Sequence, residues 1–210
     1  MLVTYICIIA VVAYLMGGIN GAITASKRIY KKDIRKYGSG NPGLTNFYRV
    51  FGKGGAAIVI IIDVMKTVLP VLLGWWLLGR CGHPLTGRLI AGFFAMLGHA
   101  YPVFYNFKGG KTVMAGGTLL ILIDWRVALV GWGVFVLMVV LTKYVSLGSM
   151  LAGISLPVSL LVFKIGTWYD VLLGALCGGL LVFRHKENIK RLVKGEESKL
   201  VFKKEKNKNA

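Results

Sequence analysis

Three short polar segments in an otherwise apolar chain carry residue types suited to holding phosphate. The first is Gly38-Ser39-Gly40-Asn41-Pro42-Gly43-Leu44-Thr45-Asn46, with Arg49 close behind. Glycines let backbone N–H groups approach a phosphate, and a following helix start adds more N–H groups and a positive dipole. Thr45 and Arg49 are four apart, so one helix face can offer an anion both a hydroxyl and a guanidinium fork. The spelling matches G-x-G-x-x-G, but a dinucleotide fingerprint needs a preceding strand and a βαβ unit, and the sequence offers neither.

The second segment is Lys108-Gly109-Gly110-Lys111-Thr112, preceded by Gly98-His99. A nucleotide P-loop is excluded, because Tyr105 stands where that motif needs its first glycine. What remains is two lysines bracketing a flexible Gly-Gly, which a solvated cytoplasmic loop also supplies. The third runs from Arg184-His185 through Asn188 and Arg191 to Gly195 and Glu197. On a continuing helix His185 and Asn188 share a face, and Arg184 joins them.

The elements that must position these residues are membrane helices. The chain has 210 residues, 56% hydrophobic and 16% charged, and a bilayer core of about 30 Å takes roughly 20 apolar residues per straight helix. Apolar stretches occur at 2–23, 55–78, 89–107, 113–123, 127–141, 145–163 and 168–183. The fourth is short enough for a half-helix, which leaves six crossings open. No Lys or Arg precedes the first stretch, unlike a secretory signal, so a retained first helix with its N-terminus outside is expected. The net charge of +18 is concentrated in two blocks, within 27–53 and 184–208. Positive-inside bias puts both in the cytoplasm, and an external start with an internal tail favours an odd number of crossings. The expected fold is therefore all-α, a polytopic integral membrane protein of about seven transmembrane helices with a cytoplasmic C-terminus. One domain spans 1–195, and 196–210 is a basic tail expected to be disordered.

After the first loop, Asn41 suits an N-cap and Pro42 a first helical position. Leu44, Phe47, Tyr48 and Phe51 then follow the spacing of an interfacial helix. Asp63 and Lys66, three apart inside an apolar stretch, are expected to form a structural ion pair.

No aromatic-interleaved basic face accompanies the charge, so anionic lipid and phosphorylated molecules are expected partners rather than nucleic acid. Cys7, Cys81 and Cys177 lack metal-ligand spacing, and the eight acidic residues supply no multi-aspartate site. Neither metal nor cofactor is expected. None of His83, His99 and His185 is followed by Asp five residues on, which excludes coenzyme A acyltransferases of the His-x4-Asp type. A transporter of phosphorylated solutes would need polar groups on broken helices near the midplane. It stays an alternative, as does a non-catalytic membrane adaptor held to lipid by the tail.

Together the three segments resemble the bacterial acyl-phosphate:glycerol-3-phosphate acyltransferases, an integral membrane family with three cytoplasmic motifs. Gly38 to Gly43 with Thr45, Asn46 and Arg49 look like the first motif, and Asp63 with Lys66 like its downstream pair. Gly98-His99, Pro102-Val103 and Phe107 to Lys111 look like the second. Arg184-His185, Glu187-Asn188-Ile189, Arg191-Leu192, Gly195 and Glu197 look like the third. The resemblance implies acyl transfer from a fatty acyl phosphate to the 1-hydroxyl of glycerol 3-phosphate, at the bacterial cell membrane, with the active site facing the cytoplasm. It implies Ser39, Arg49, Lys111, His185 and Asn188 as residues acting in catalysis. Gly38, Gly40, Asn41, Gly43, Thr45, Asn46, His99, Lys108, Gly109, Gly110 and Glu197 would bind substrate. The chain departs from the family pattern at Leu44, where Ala is usual, and at Thr67, where Gly is usual. Thr112 and Met114 stand where Gly and Ala usually follow Lys111. A β-branched residue has less backbone freedom than Gly, so a stiffer second loop is expected.

Overall fold

The computed structural model describes residues 1–200, and every regular element in that span is helical. The helices are α1 (Leu2–Gly17), α2 (Gly21–Tyr30), α3 (Leu44–Phe51), α4 (Ala56–Gly79), α5 (Pro84–Ala100), α6 (Val113–Ile123), α7 (Trp125–Thr142), α8 (Val145–Val162), α9 (Trp168–Arg184) and α10 (Lys186–Val193). The seven apolar stretches become α1 and α4 to α9. Four segments, Leu2–Tyr30, Ala56–Gly79, Trp125–Thr142 and Val145–Val162, are long and apolar enough to cross a bilayer. The 11-residue α6 reaches only about 16 Å at 1.5 Å per residue.

The first apolar run is broken where the sequence suggested continuity. Asn20 Oδ1 accepts the Ile23 N–H at 2.9 Å and starts a new helix, so α2 is separate from α1. An asparagine side chain is a strong competitor for free N–H groups at a helix start, and here it divides the run.

Helix α5 lies at the centre, packed against α1, α4, α6 and α9, while α8 packs between α7 and α9. The α4–α5 contact is a backbone approach. A Cβ added to Gly74 would run into the Gly87 carbonyl, and one added to Gly87 into the Gly74 carbonyl. Small residues permit such contact in lipid, where dispersion replaces the hydrophobic effect between helices. The outer surface carries large exposed apolar side chains, among them Val136, Leu137, Val140 and Leu141 on α7 and Leu161 and Val162 on α8. A hydrocarbon solvent accepts that surface.

Asp63 and Lys66 join three parts of the molecule. Their ion pair measures 2.8 Å. Asp63 also accepts the Gly21 N–H at 3.1 Å, and Lys66 donates to the Ile19 carbonyl at 2.9 Å and meets His99 Nδ1 at 2.6 Å. The α1–α2 break, α4 and the end of α5 are thus tied at one buried point, as a structural ion pair requires.

Candidate active site

The first loop is held by its own side chains. Gly38 and Gly40 take φ of 59° and 70°, the left-handed region that glycine enters without a Cβ penalty. The turn they make lets Asn46 Oδ1 accept the Ser39 N–H at 2.9 Å while its Nδ2 donates to the Tyr37 carbonyl at 3.0 Å. Asn46, expected to bind substrate, therefore has its amide engaged in closing the loop. Upstream, Asp33 caps a 3-10 turn and takes the Arg35 guanidinium at 2.7 Å, which holds its carboxyl down to about 2.

The short helix begins two residues later than the sequence suggested. Asn20 Nδ2 donates to the Pro42 carbonyl at 3.0 Å, which fixes Pro42 outside the helix, and Gly43 is the N-cap of α3. The first N–H groups of α3 lack intrahelical acceptors. Gly43, Leu44, Thr45 and Asn46 all line a cavity of about 610 Å³. Phe47 is fully buried and packs edge-on to Tyr30 with centroids 5.9 Å apart, so the apolar face anchors the helix. Tyr48, expected on that face, is exposed.

The third segment does not continue as one helix. His185 separates α9 from α10, with φ −97° and ψ 9°. Its Nδ1 lies 2.8 Å from the Leu181 carbonyl. A carbonyl only accepts, so Nδ1 carries the proton and Nε2 presents a lone pair. Burial pushes His185 down to about 4, and the nearby Lys111 charge adds to this, so the ring is neutral at physiological pH. The break also turns Arg184 away from His185 and Asn188. Its guanidinium donates to the Gly110 carbonyl at 3.1 Å and the Gly109 carbonyl at 3.2 Å, and lies 4.8 Å from the Tyr101 ring.

Glu197, in the stretch assigned to the tail, organises the polar wall. It accepts from Ser146 Oγ and Asn188 Nδ2, both at 2.6 Å, and from Arg191 Nε at 2.7 Å. Burial raises its pKa, but these hydrogen bonds outweigh that and hold the carboxyl below its usual range. Asn188 Oδ1 is buried with no partner among the described residues. Leu200 N–H donates to the Lys143 carbonyl at 2.8 Å, so 197–200 fold back across the start of α8. Residues 201–210, the rest of the expected tail, lie outside the described residues.

The cavity joins the three segments. Ser39, Asn41, Gly43, Thr45, Asn46, Arg49, His99, Lys111, His185, Asn188 and Glu197 line it. Arg49 and Lys111 have neither hydrogen bond nor ion pair among the described residues. Burial, then the positive charge of Arg191, lowers the pKa of Lys111 against the counter-pull of Glu197. Two such cations lining one cavity have the chemistry that suits an anion. Elsewhere the wall is apolar, formed by Leu119, Leu120, Trp132, Phe135, Leu156 and Leu181. Trp132, in this apolar wall, is 39% exposed.

Five expected binding residues do not line the cavity. Gly38 and Gly40 shape the first loop from behind, and Lys108 is exposed outside. Gly109 and Gly110 are buried behind the wall, where their carbonyls receive Arg184 and the Gly110 N–H donates to the His99 carbonyl at 3.0 Å. Six polar or charged lining residues were not expected to bind substrate: Arg191, Ser146, Ser149, Ser198, Asp63 and Thr112. Arg191 was within the third motif, three residues beyond Asn188. Ser146 had no sequence signal; it stands at the start of α8 and donates to Glu197 across 51 residues of sequence. Thr112 takes φ of 64°, where glycine is favoured, and its Oγ1 is buried without a partner among the described residues.

Residues 7–195 match the family model for glycerol-3-phosphate acyltransferase. The chain is 40% identical over 196 residues to the glycerol-3-phosphate acyltransferase of Thermoanaerobacter pseudethanolicus, covering 93% of this chain and 96% of that one. Identity is 41% over 191 residues to glycerol-3-phosphate acyltransferase 2 of Bacillus anthracis, with 91% and 97% covered. Crystal structures of PlsY, an integral membrane glycerol 3-phosphate acyltransferase, share the fold. The glycerol 3-phosphate form superposes with a TM-score of 0.82 at 32% identity, covering 93% of this chain and 96% of that one. The lysophosphatidic acid form gives 0.80 at 31%, covering 93% and 95%.

Proposed function

The chain belongs to the glycerol-3-phosphate acyltransferase family, and from that premise we propose that it transfers a fatty acyl group from an acyl phosphate to the 1-hydroxyl of glycerol 3-phosphate. The products are lysophosphatidic acid, for phospholipid synthesis, and inorganic phosphate. The observation that carries this reading is one cavity that holds Arg49 and Lys111, unpartnered among the described residues, together with an apolar wall. Both substrates bring phosphate to the cations, and one brings an alkyl chain to the apolar wall.

The phosphoryl group of the donor lies at the α3 N-terminus, against the N–H groups of 44–46 and the Thr45 hydroxyl. Asn46 serves through its backbone, since its side chain closes the loop. Ser39, Arg49 and Lys111 hold the phosphate of glycerol 3-phosphate. His185 Nε2 and the free Asn188 Oδ1 accept hydrogen bonds from its hydroxyls and aim one at the acyl carbon. Positioning of this kind supplies much of the rate, because a mixed anhydride is already activated.

In the transfer, the glycerol oxygen bonds to the acyl carbon, the bond from that carbon to the phosphate oxygen breaks, and its electron pair leaves with phosphate. The hydroxyl proton goes to a phosphate oxygen. A phosphate whose second pKa is near 6 is the better base at neutral pH than His185, which burial holds at about 4.

Seven crossings with the N-terminus outside put the first loop, 101–112, 143–144 and the stretch after α9 on one side, which is where the cavity's polar residues meet. That side faces the cytoplasm of a bacterial cell, by the clustering of basic residues in 27–53.

Purified protein is assayed with labelled glycerol 3-phosphate and either acyl phosphate or acyl coenzyme A. Lysophosphatidic acid is expected from acyl phosphate alone. Product from acyl coenzyme A alone would overturn the donor, and no product from either would overturn the activity.

A further inference from the structure

Thr112 is fully buried, lines the cavity, and has no hydrogen-bond partner for Oγ1 among the described residues. A buried hydroxyl is normally bonded, so this one marks a place where a ligand in the cavity can supply the partner. The Thr112 carbonyl is already used, accepting the Gly116 N–H at 2.8 Å, which leaves the hydroxyl as the free group. Its backbone sits at φ 64°, a conformation a β-branched residue enters at a local cost.

Position identifies the partner. Lys111, one residue before, belongs to the polar wall, and Gly116, one helical turn later, to the apolar wall. Thr112 therefore stands at the junction. It is also the N-cap of α6 and makes no side-chain cap, so the unpaired N–H groups of the first turn lie beside its hydroxyl. In an acyl phosphate, the group between the phosphoryl end and the alkyl chain is the acyl carbonyl. Charge develops on that oxygen as the glycerol hydroxyl adds, and helix-start N–H groups with a buried hydroxyl suit it.

We propose that Thr112 donates its hydroxyl hydrogen bond to the acyl carbonyl oxygen of the donor and steadies the negative charge that gathers there during transfer. The hydroxyl keeps its proton. Bond making and breaking stay between glycerol oxygen, acyl carbon and leaving phosphate. The inference rests on the acyl-phosphate reading given above.

Thr112→Val, Thr112→Ser and Thr112→Gly are compared with the unsubstituted protein, using acyl phosphate and glycerol 3-phosphate. Thr112→Val and Thr112→Gly are expected to lower kcat about 10- to 100-fold, with KM for glycerol 3-phosphate within about twofold. Thr112→Ser keeps most of kcat. Thr112→Gly separates this role from a structural one, because it relieves the left-handed backbone and melts no lower in detergent, yet loses the hydroxyl. A Thr112→Gly protein with undiminished kcat would overturn the proposal. So would a rise in KM for glycerol 3-phosphate with kcat kept, which would assign the hydroxyl to the acceptor. Absence of product with the unsubstituted protein and acyl phosphate would instead overturn the donor reading, and this inference with it.

Discussion

Lys111 holds its proton less firmly than an ordinary lysine, because burial and the positive charge of Arg191 both disfavour the ammonium. Its folded pKa is lowered, so the cation is present below that value and lost as pH rises through it. In the free enzyme, kcat/KM for glycerol 3-phosphate is expected to fall on the alkaline side at a pH below that of free lysine. Lys111→Arg moves that limb upward, since a guanidinium stays charged. An alkaline limb unchanged by Lys111→Arg would remove Lys111 from the anion site. His185 is expected to behave differently. His185→Gln keeps most of kcat but raises KM for glycerol 3-phosphate by about 10-fold, the cost of one hydrogen bond to a neutral acceptor. Near-total loss of kcat with unchanged KM would make His185 the base. The sequence already held most of these residues, because anion binding demands few side-chain types and they cluster within short motifs. It did not separate wall from scaffold. Gly109 and Lys111 are two apart in one motif, yet one carbonyl receives Arg184 behind the wall while the other side chain faces the cavity. That division depends on Arg184 crossing from another helix, which no local pattern announces.

At the scale of elements, the buried Asp63, Lys66 and His99 contact decides whether the loops have a fixed base. Removing one partner leaves an uncompensated buried charge, at a cost of about 3–5 kcal/mol. Asp63→Asn and Lys66→Met are each expected to lower the melting temperature in detergent by roughly 10 °C. The double variant recovers part of that loss, because no charge is then stranded. Losses that simply add would argue against a coupled pair. The continuous apolar stretches gave every long helix, since lipid burial leaves few other solutions for them. They missed the α1–α2 break and the true start of α3, and both misses trace to one residue. Asn20 caps α2 through Oδ1 and fixes Pro42 through Nδ2. A side chain bridging 22 residues of sequence outranks the local cap and proline preferences that pointed to Asn41 and Pro42.

For the whole molecule, alternating helices bring the first loop, the loop before α6, the start of α8 and the stretch after α9 to one end of the bundle. A single cysteine placed at Gly82, in the turn between α4 and α5, is expected to react with an impermeant thiol reagent on intact cells. One placed at Lys108 reacts only after permeabilisation. The controls require Cys7 and Cys81 to be replaced, since neither is buried. The reverse pattern would invert the orientation. Apolar spacing made the gathering of these loops legible, because successive helices reverse the chain. The return of 197–200 was not legible, because a basic tail looks alike in sequence whether it leaves the protein or packs against it.

The gathering of the cavity's polar residues at one end has a consequence for the membrane itself. With the proposed site at one face, each turnover adds a single-chain lipid to one leaflet and none to the other. A bilayer fed in this way grows unevenly, and its two sides keep equal area only if lipid then crosses between them. Expansion of both faces together then depends on that crossing as well as on the chemistry.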